Sequence, residues 1–322
     1  MKTLKNWILE FKAIFPIFMS LLLLTGTSSI LNAQTLYVDA LKGKAGSTGS
    51  KNHPLASLEE AINKTNSFTG LEAIHIKLAP GNYILQNRMH IRTMLSETDT
   101  ISYTIEATII PQSKGWKESK MPVISSISDN NISTPLVCAV GFDVEKHNVN
   151  FVGLKFTGNS NANNTAYYPI RRSDPKLTGL EISYCDFIGK KEGSPIEGSL
   201  WLTGKGISIN HCSFFQSKTA IILFGTFNEF SLKNTLIQGS YEAAIWCAGY
   251  GTPFNFSNNK INNCRYVMVH PEKMQKLFTF NNSDFEGNEN YIGAYGAAKD
   301  KQVPIVKPTA GENVKEVNVK KH

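Results

Sequence analysis

"FTFNNSDFEGN" (278–288) alternates apolar residues for three positions, then sets two Asn and a Ser before one more Phe. "FNFSNNKINNC" (254–264) and "FSLKNTLIQGS" (230–240) repeat the rhythm. Three earlier segments align with them without gaps: "VNFVGLKFTGN" (149–159), "LEISYCDFIGK" (180–190) and "ISINHCSFFQS" (207–217). The third position is apolar throughout, as Phe151, Ile182, Ile209, Leu232, Phe256 and Phe280, at spacings of 31, 27, 23, 24 and 24 residues. The eighth position holds Phe156, Phe187, Phe214, Ile237, Ile261 and Phe285. A period near 24 with short alternating strands is too short for a propeller blade, and no helical face recurs.

A further short strand stands in most periods: "LWLTG" (200), "IILFG" (221), "IWCAG" (245), "VMVH" (267) and "IGAYG" (292). Three strands per period make one coil of a solenoid, in which like residues stack at about 4.8 Å, the inter-strand spacing. The expected fold is all-β: a right-handed, single-stranded parallel β-helix. The polar pairs then mark a bend, where Asn234, Asn258 and Asn282 form one column. Asn tolerates the left-handed conformation, and its side chain can bond a neighbouring turn, so these three are expected to be buried and bonded to backbone. His211 falls in the same column and reads as a turn residue.

Ahead of the repeats, "LASLEEAI" (55–62) offers Ser57 as an N-cap with Glu60 three residues on, a capping box. This helix is expected to cap the first coil within a parallel β-helix domain of 34–300, whose N-terminal cap is about 34–85, followed by a polar tail over 301–322. Residues 1–33 have basic residues, an apolar run "AIFPIFMSLLLLTG" and a small residue at Ala33, so they read as a signal peptide cleaved before Gln34. An uncleaved anchor is the alternative. Cleavage implies a secreted or periplasmic protein, a monomer with no membrane contact.

The chain carries 33 Lys+Arg against 26 Asp+Glu, a net +7, and loses three Lys and one Glu with the leader. A modest positive balance suits an acidic polymer, while no basic run with interleaved aromatics points to nucleic acid. The five Cys lack CxxC spacing, and no Asp cluster has calcium-ligand spacing, so neither a metal nor a cofactor is expected.

Strand "LYVDA" (36–40), then "PLASLEEAI" (54–62), then "IHIKLAPGNYIL" (74–85), resembles the opening of secreted bacterial proteins of the pectate-lyase-like β-helix superfamily. The resemblance covers about residues 35–296. It implies polysaccharide lyase or glycoside hydrolase chemistry on the face built from the first strand of each coil. The catalytic motifs of pectate lyases, polygalacturonases and alginate epimerases are not matched.

With Ile221 and Leu223 inward, parity turns Ile222 and Phe224 outward. Registration then sets Trp201, Ile222, Trp246 and Met268 in one outward column, and Thr203, Phe224, Ala248, His270 and Tyr295 in the next. Trp201 and Trp246, about 9.6 Å apart at two strand spacings, are expected to be partly exposed as a sugar platform, unless long turns fold over them. Phe224, Tyr250, Arg171 and Arg172 complete the candidate binding residues. Lyase chemistry needs a base beside a uronate carboxylate and a cation to neutralise it, which brings in His270, Arg265 and Lys205. Glu197, Lys218 and Glu242 form a vertical ladder, whose carboxylates about 9–10 Å apart could serve hydrolysis or be a surface ion-pair ladder. The function read from this is cleavage of an acidic polysaccharide by β-elimination. Hydrolysis, or a non-catalytic carbohydrate-binding or structural β-helix, are the alternatives.

Overall fold

The apolar positions of the repeat stack coil on coil. Phe151, Ile182, Ile209, Leu232, Phe256 and Phe280 pair successively in parallel register, and the column continues backwards through Ile105, Ile76 and Leu36. The eighth-position column pairs in the same way. Stacked rings keep the rung spacing, with 4.8 Å between Phe156 and Phe187, Phe187 and Phe214, and Phe256 and Phe280. The computed structural model describes residues 33–94, 100–251, 255–271, 278–295, 305–306 and 314–321.

Each coil carries three strands, and the chain is a right-handed parallel β-helix. One face is a nine-stranded parallel sheet that begins at Asn82–Leu85 and ends at Lys320–Lys321. The other two faces merge into one 17-stranded sheet, because strands such as Gly198–Asn210 and Thr219–Lys233 run through the bend between them. At that bend Gly204 has φ 95°, and a Cβ there would lie 2.5 Å from the Leu177 carbonyl oxygen, so only glycine fits.

The solenoid is longer at both ends than the repeats alone indicate. Gln34–Val38 and Ile74–Leu78, within the expected cap, are already rungs of the same sheet. Val314–Val317 adds a rung on Phe278–Asn281, so part of the expected tail belongs to the helix. The helix Leu58–Asn66 buries Leu58, Ala61, Ile62 and Thr65 against the first coils. Ser57 Oγ accepts the Glu60 N–H at 3.1 Å, as the cap requires. The Glu60 carboxylate does not close the box; it accepts from the Gly46 N–H at 2.9 Å and ties down the loop before the helix.

The polar pair divides its work between its two members. Asn234, Asn258 and Asn282 adopt φ of 51°, 58° and 46°, as does His211 at 53°. All three Asn side chains are exposed; Asn258 Nδ2 donates to Asn234 Oδ1 at 3.2 Å, and Asn282 Oδ1 accepts from Asn318 Nδ2 at 3.1 Å. The expected burial and backbone bonding belong to the next residue. Asn259 is buried, donates from Nδ2 to the Leu232 carbonyl at 2.9 Å and accepts the Thr235 N–H at 3.1 Å. The chain leaves a left-handed residue pointing inward, so the second member meets the adjacent coil. Asn259→Leu should therefore destabilise by about 1–3 kcal/mol for each group left unsatisfied. Asn258→Gly should stay within about 1 kcal/mol of wild type, since glycine accepts the same φ. Denaturant unfolding that gives the reverse order would refute this division.

Candidate functional site

The face formed by the first strand of each coil presents one outward row. His90 pairs with Asp143, Asp143 with Arg171, and Arg171 with Trp201. Trp201 pairs with Ile222, Ile222 with Trp246, and Trp246 with Val269. The row is charged at its N-terminal end and aromatic beyond.

At the charged end, Asp143 is buried, which a carboxylate tolerates only when paired. Arg171 grips it bidentately, with Nε at 3.0 Å from Oδ1 and Nη2 at 2.7 Å from Oδ2. The Arg171 guanidinium also lies 6.0 Å from the centre of the Trp201 ring, joining the two parts of the row. Arg88 reaches the same carboxylate less closely, with Nη1 at 3.4 Å from Oδ2. Its Nε donates to His90 Nε2 at 3.2 Å. A guanidinium can only donate, so Nε2 is the unprotonated ring nitrogen and Nδ1 carries the proton, directed to Glu145 Oε1 at 2.6 Å. The ligand atoms of His90, Asp143 and Glu145 lie within 4.8 Å of one another. Two guanidiniums already neutralise Asp143, and this donor set does not call for a cation.

The sequence-predicted residues fall around this row in ways that parity only partly anticipated. Trp201 and Trp246 are aligned two rungs apart. Trp201 is nevertheless buried, under Tyr168 at 4.8 Å and the edge of Phe224 at 5.7 Å. Trp246 is half-buried and stacks on Tyr295 at 5.7 Å. Phe224 is the exposed aromatic, so the open platform of two Trp is corrected to a packed aromatic ridge. The Tyr250 side chain lies outside the described residues.

His270 and Met268 point inward, not outward. Seven residues separate Phe214 from Ile221, Ile261 from Met268, and Phe285 from Ile292, but eight separate Ile237 from Ile245. The extra residue forms a bulge, where the N–H groups of Glu242 and Ala243 both donate to the Lys218 carbonyl at 2.9 and 3.3 Å. Met268 therefore pairs with Ile245, and Val269 takes the outward position. His270 is buried, bonds the Pro271 carbonyl through Nδ1 at 2.8 Å and has its pKa lowered by burial. Arg172 is inward as well and wholly buried, donating to the carbonyls of Thr203 and Lys205. Burial lowers its pKa to about 10, and it braces a corner rather than meeting a ligand.

Glu197, Lys218 and Glu242 stand in consecutive coils, and Arg265, three residues before Met268, continues their row. Lys218 Nζ is 2.5 Å from Glu197 and 3.8 Å from Glu242. Burial works against the Lys218 charge, but the bond and charge of Glu197, with Glu242, outweigh it and raise its pKa. One ammonium thus holds both carboxylates in like surroundings, whereas an acid–base pair needs surroundings that differ. Lys205 lies past the Gly204 bend, exposed and 3.0 Å from Glu229. Arg265 is exposed, over the Tyr266 ring at 5.8 Å.

Arg88, His90, Asp143 and Glu145 were not singled out from the sequence. A signal was present in "RMHI" (88–91) and "FDVE" (142–145), where apolar and charged residues alternate. The long insert between them hides that they pair.

With this geometry in hand, the class is clear: the chain is a parallel β-helix. Among solved structures it is similar to a rhamnogalacturonan lyase, with a TM-score of 0.58 and 10% identity over 89% of this chain and 85% of that one. It is also similar to Escherichia coli ybhc, with a TM-score of 0.52 and 13% identity over the same shares of the two chains. At such identities the likeness is one of fold. No family model and no curated protein matches the chain. Among the described residues no helix is long and apolar enough to cross a membrane.

Proposed function

We propose that the protein is a secreted β-helix that binds an acidic polysaccharide and cleaves it by β-elimination, with His90 as the base. The observation that carries this reading is the His90 tautomer. Its Nε2 lone pair lies beside a guanidinium, and its Nδ1–H is held by Glu145. A base with an orienting carboxylate and an adjacent cation is the set of groups that elimination from a uronate needs.

In that reaction the C5 proton of the uronate passes to Nε2. The C5–H electron pair forms the C4–C5 double bond and breaks the C4–O4 bond of the same uronate, so the glycosidic oxygen leaves with the neighbouring sugar and takes a proton from the imidazolium or from water. Glu145 holds the ring in its tautomer and stabilises the imidazolium. Sugars further along the axis meet the aromatic ridge, where Phe224 and Trp246 offer apolar surface. The rhamnogalacturonan lyase that shares the fold is named for the same class of reaction.

Incubating the protein with a panel of uronic-acid and neutral glycans tests the reading. Ultraviolet absorbance from unsaturated ends is expected with acidic glycans alone. Reducing ends without that absorbance would point to hydrolysis by the Glu197 and Glu242 pair, and binding without cleavage to a carbohydrate-binding module.

A further inference from the structure

Two arginines share one carboxylate at the charged end of the row, and they are not held alike. Arg171 makes the bidentate grip on Asp143, stacks over Trp201 and has only 11% of its side chain exposed. Among the described residues Arg88 makes two contacts, of 3.2 Å to His90 Nε2 and 3.4 Å to Asp143 Oδ2, with 24% exposed. Both exceed the roughly 2.7–2.9 Å of a well-formed charge-assisted bond. Asp143 is satisfied by Arg171 and Glu145 by His90, so Arg88 has the most to gain from another carboxylate. Where it stands, it also blocks the lone pair that a base must use.

We propose that Arg88 recognises the free carboxylate of an acidic sugar, and that its shift from His90 onto that carboxylate exposes the Nε2 lone pair for proton abstraction. This rests on the lyase reading above and adds substrate class and order of events. A bidentate guanidinium–carboxylate pair replaces two long contacts. The base is uncovered only when the sugar whose proton it takes is bound. An esterified uronate cannot draw Arg88 away, and a neutral sugar cannot either, so each leaves His90 capped. The incoming negative charge also favours the cation that His90 becomes.

The test uses the full chain, a polyuronate and its methyl ester as substrates, and monomeric galacturonate and galactose as probes. Galacturonate, but not galactose, should shift the ring resonances of His90, assigned by their loss in His90→Gln. Arg88→Gln should abolish that shift. It should also reduce the preference for free acid over ester by about 10- to 100-fold, the worth of one hydrogen bond to a charged group. Arg88→Lys should retain part of both. If Arg88→Gln stays folded and cleaves with the wild-type preference, the role of Arg88 is refuted while the lyase reading stands. If the wild type yields no unsaturated product from any uronate, both fall.

Discussion

Phe256→Ala is expected to lower the unfolding free energy by about 3–5 kcal/mol, the usual cost of removing a large buried aromatic. Phe256 is 1% exposed and stacks on Phe280 at 4.8 Å, with Phe230 edge-on at 6.1 Å. It pairs with Leu232 on one side and Phe280 on the other, so the cavity would open between two rungs. Rungs fixed by backbone pairing above and below cannot close on it, which puts the cost toward the upper part of the range. A solenoid gains its stability from contacts between neighbouring coils, and this change weakens two interfaces at once. Denaturant unfolding with an unchanged m-value should report the loss directly. A change below about 1 kcal/mol would mean that the stack is not the core it is described to be.

Such a stack was legible because its signal is redundant. Six apolar residues recur at one position, and an error at any of them leaves the period intact. The facing of a side chain has no such redundancy, because one residue of register turns a whole strand over. The bulge at Glu242 and Ala243 is that residue. It lies between Ile237 and Ile245, and in the next coil Met268 and His270 face inward, while Trp246 and Tyr295 keep the outward facing read for them. Upstream of the bulge, the parity of Ile221, Ile222, Leu223 and Phe224 holds as read.

The Asn column shows the same limit in smaller form. Its φ values are a local property and follow from the residue type, whereas the direction of each side chain depends on how the bend sits against the next coil. Hence Asn258 has the expected backbone and Asn259 the expected burial. The charged cluster fails for a different reason. Arg88 and His90 are separated from Asp143 and Glu145 by more than fifty residues, and the 24-residue period gives no offset across that insert. Only the register of the folded sheet brings them together.

His90→Gln is expected to reduce turnover of an acidic glycan by about 10²–10⁴-fold while leaving its affinity within about a factor of three, since a general base acts in the transition state. Glutamine keeps a polar side chain of similar reach beside Glu145 and Arg88, so the outer row should not collapse. His90 is a third exposed and the apolar strand residues beside it, Met89 and Ile91, carry the packing. Added imidazole should restore part of the rate in His90→Ala, where the missing base leaves space for it; a residue that only braces the strand would not be rescued. His270→Ala serves as the contrast. His270 is buried against Phe278, so its loss should appear in stability and leave turnover per folded molecule unchanged. Initial rates of unsaturated product, set beside binding isotherms for the same glycan, separate these outcomes. A fully active His90→Gln protein would remove the base from this row and direct attention to Glu197, Glu242 and Lys205.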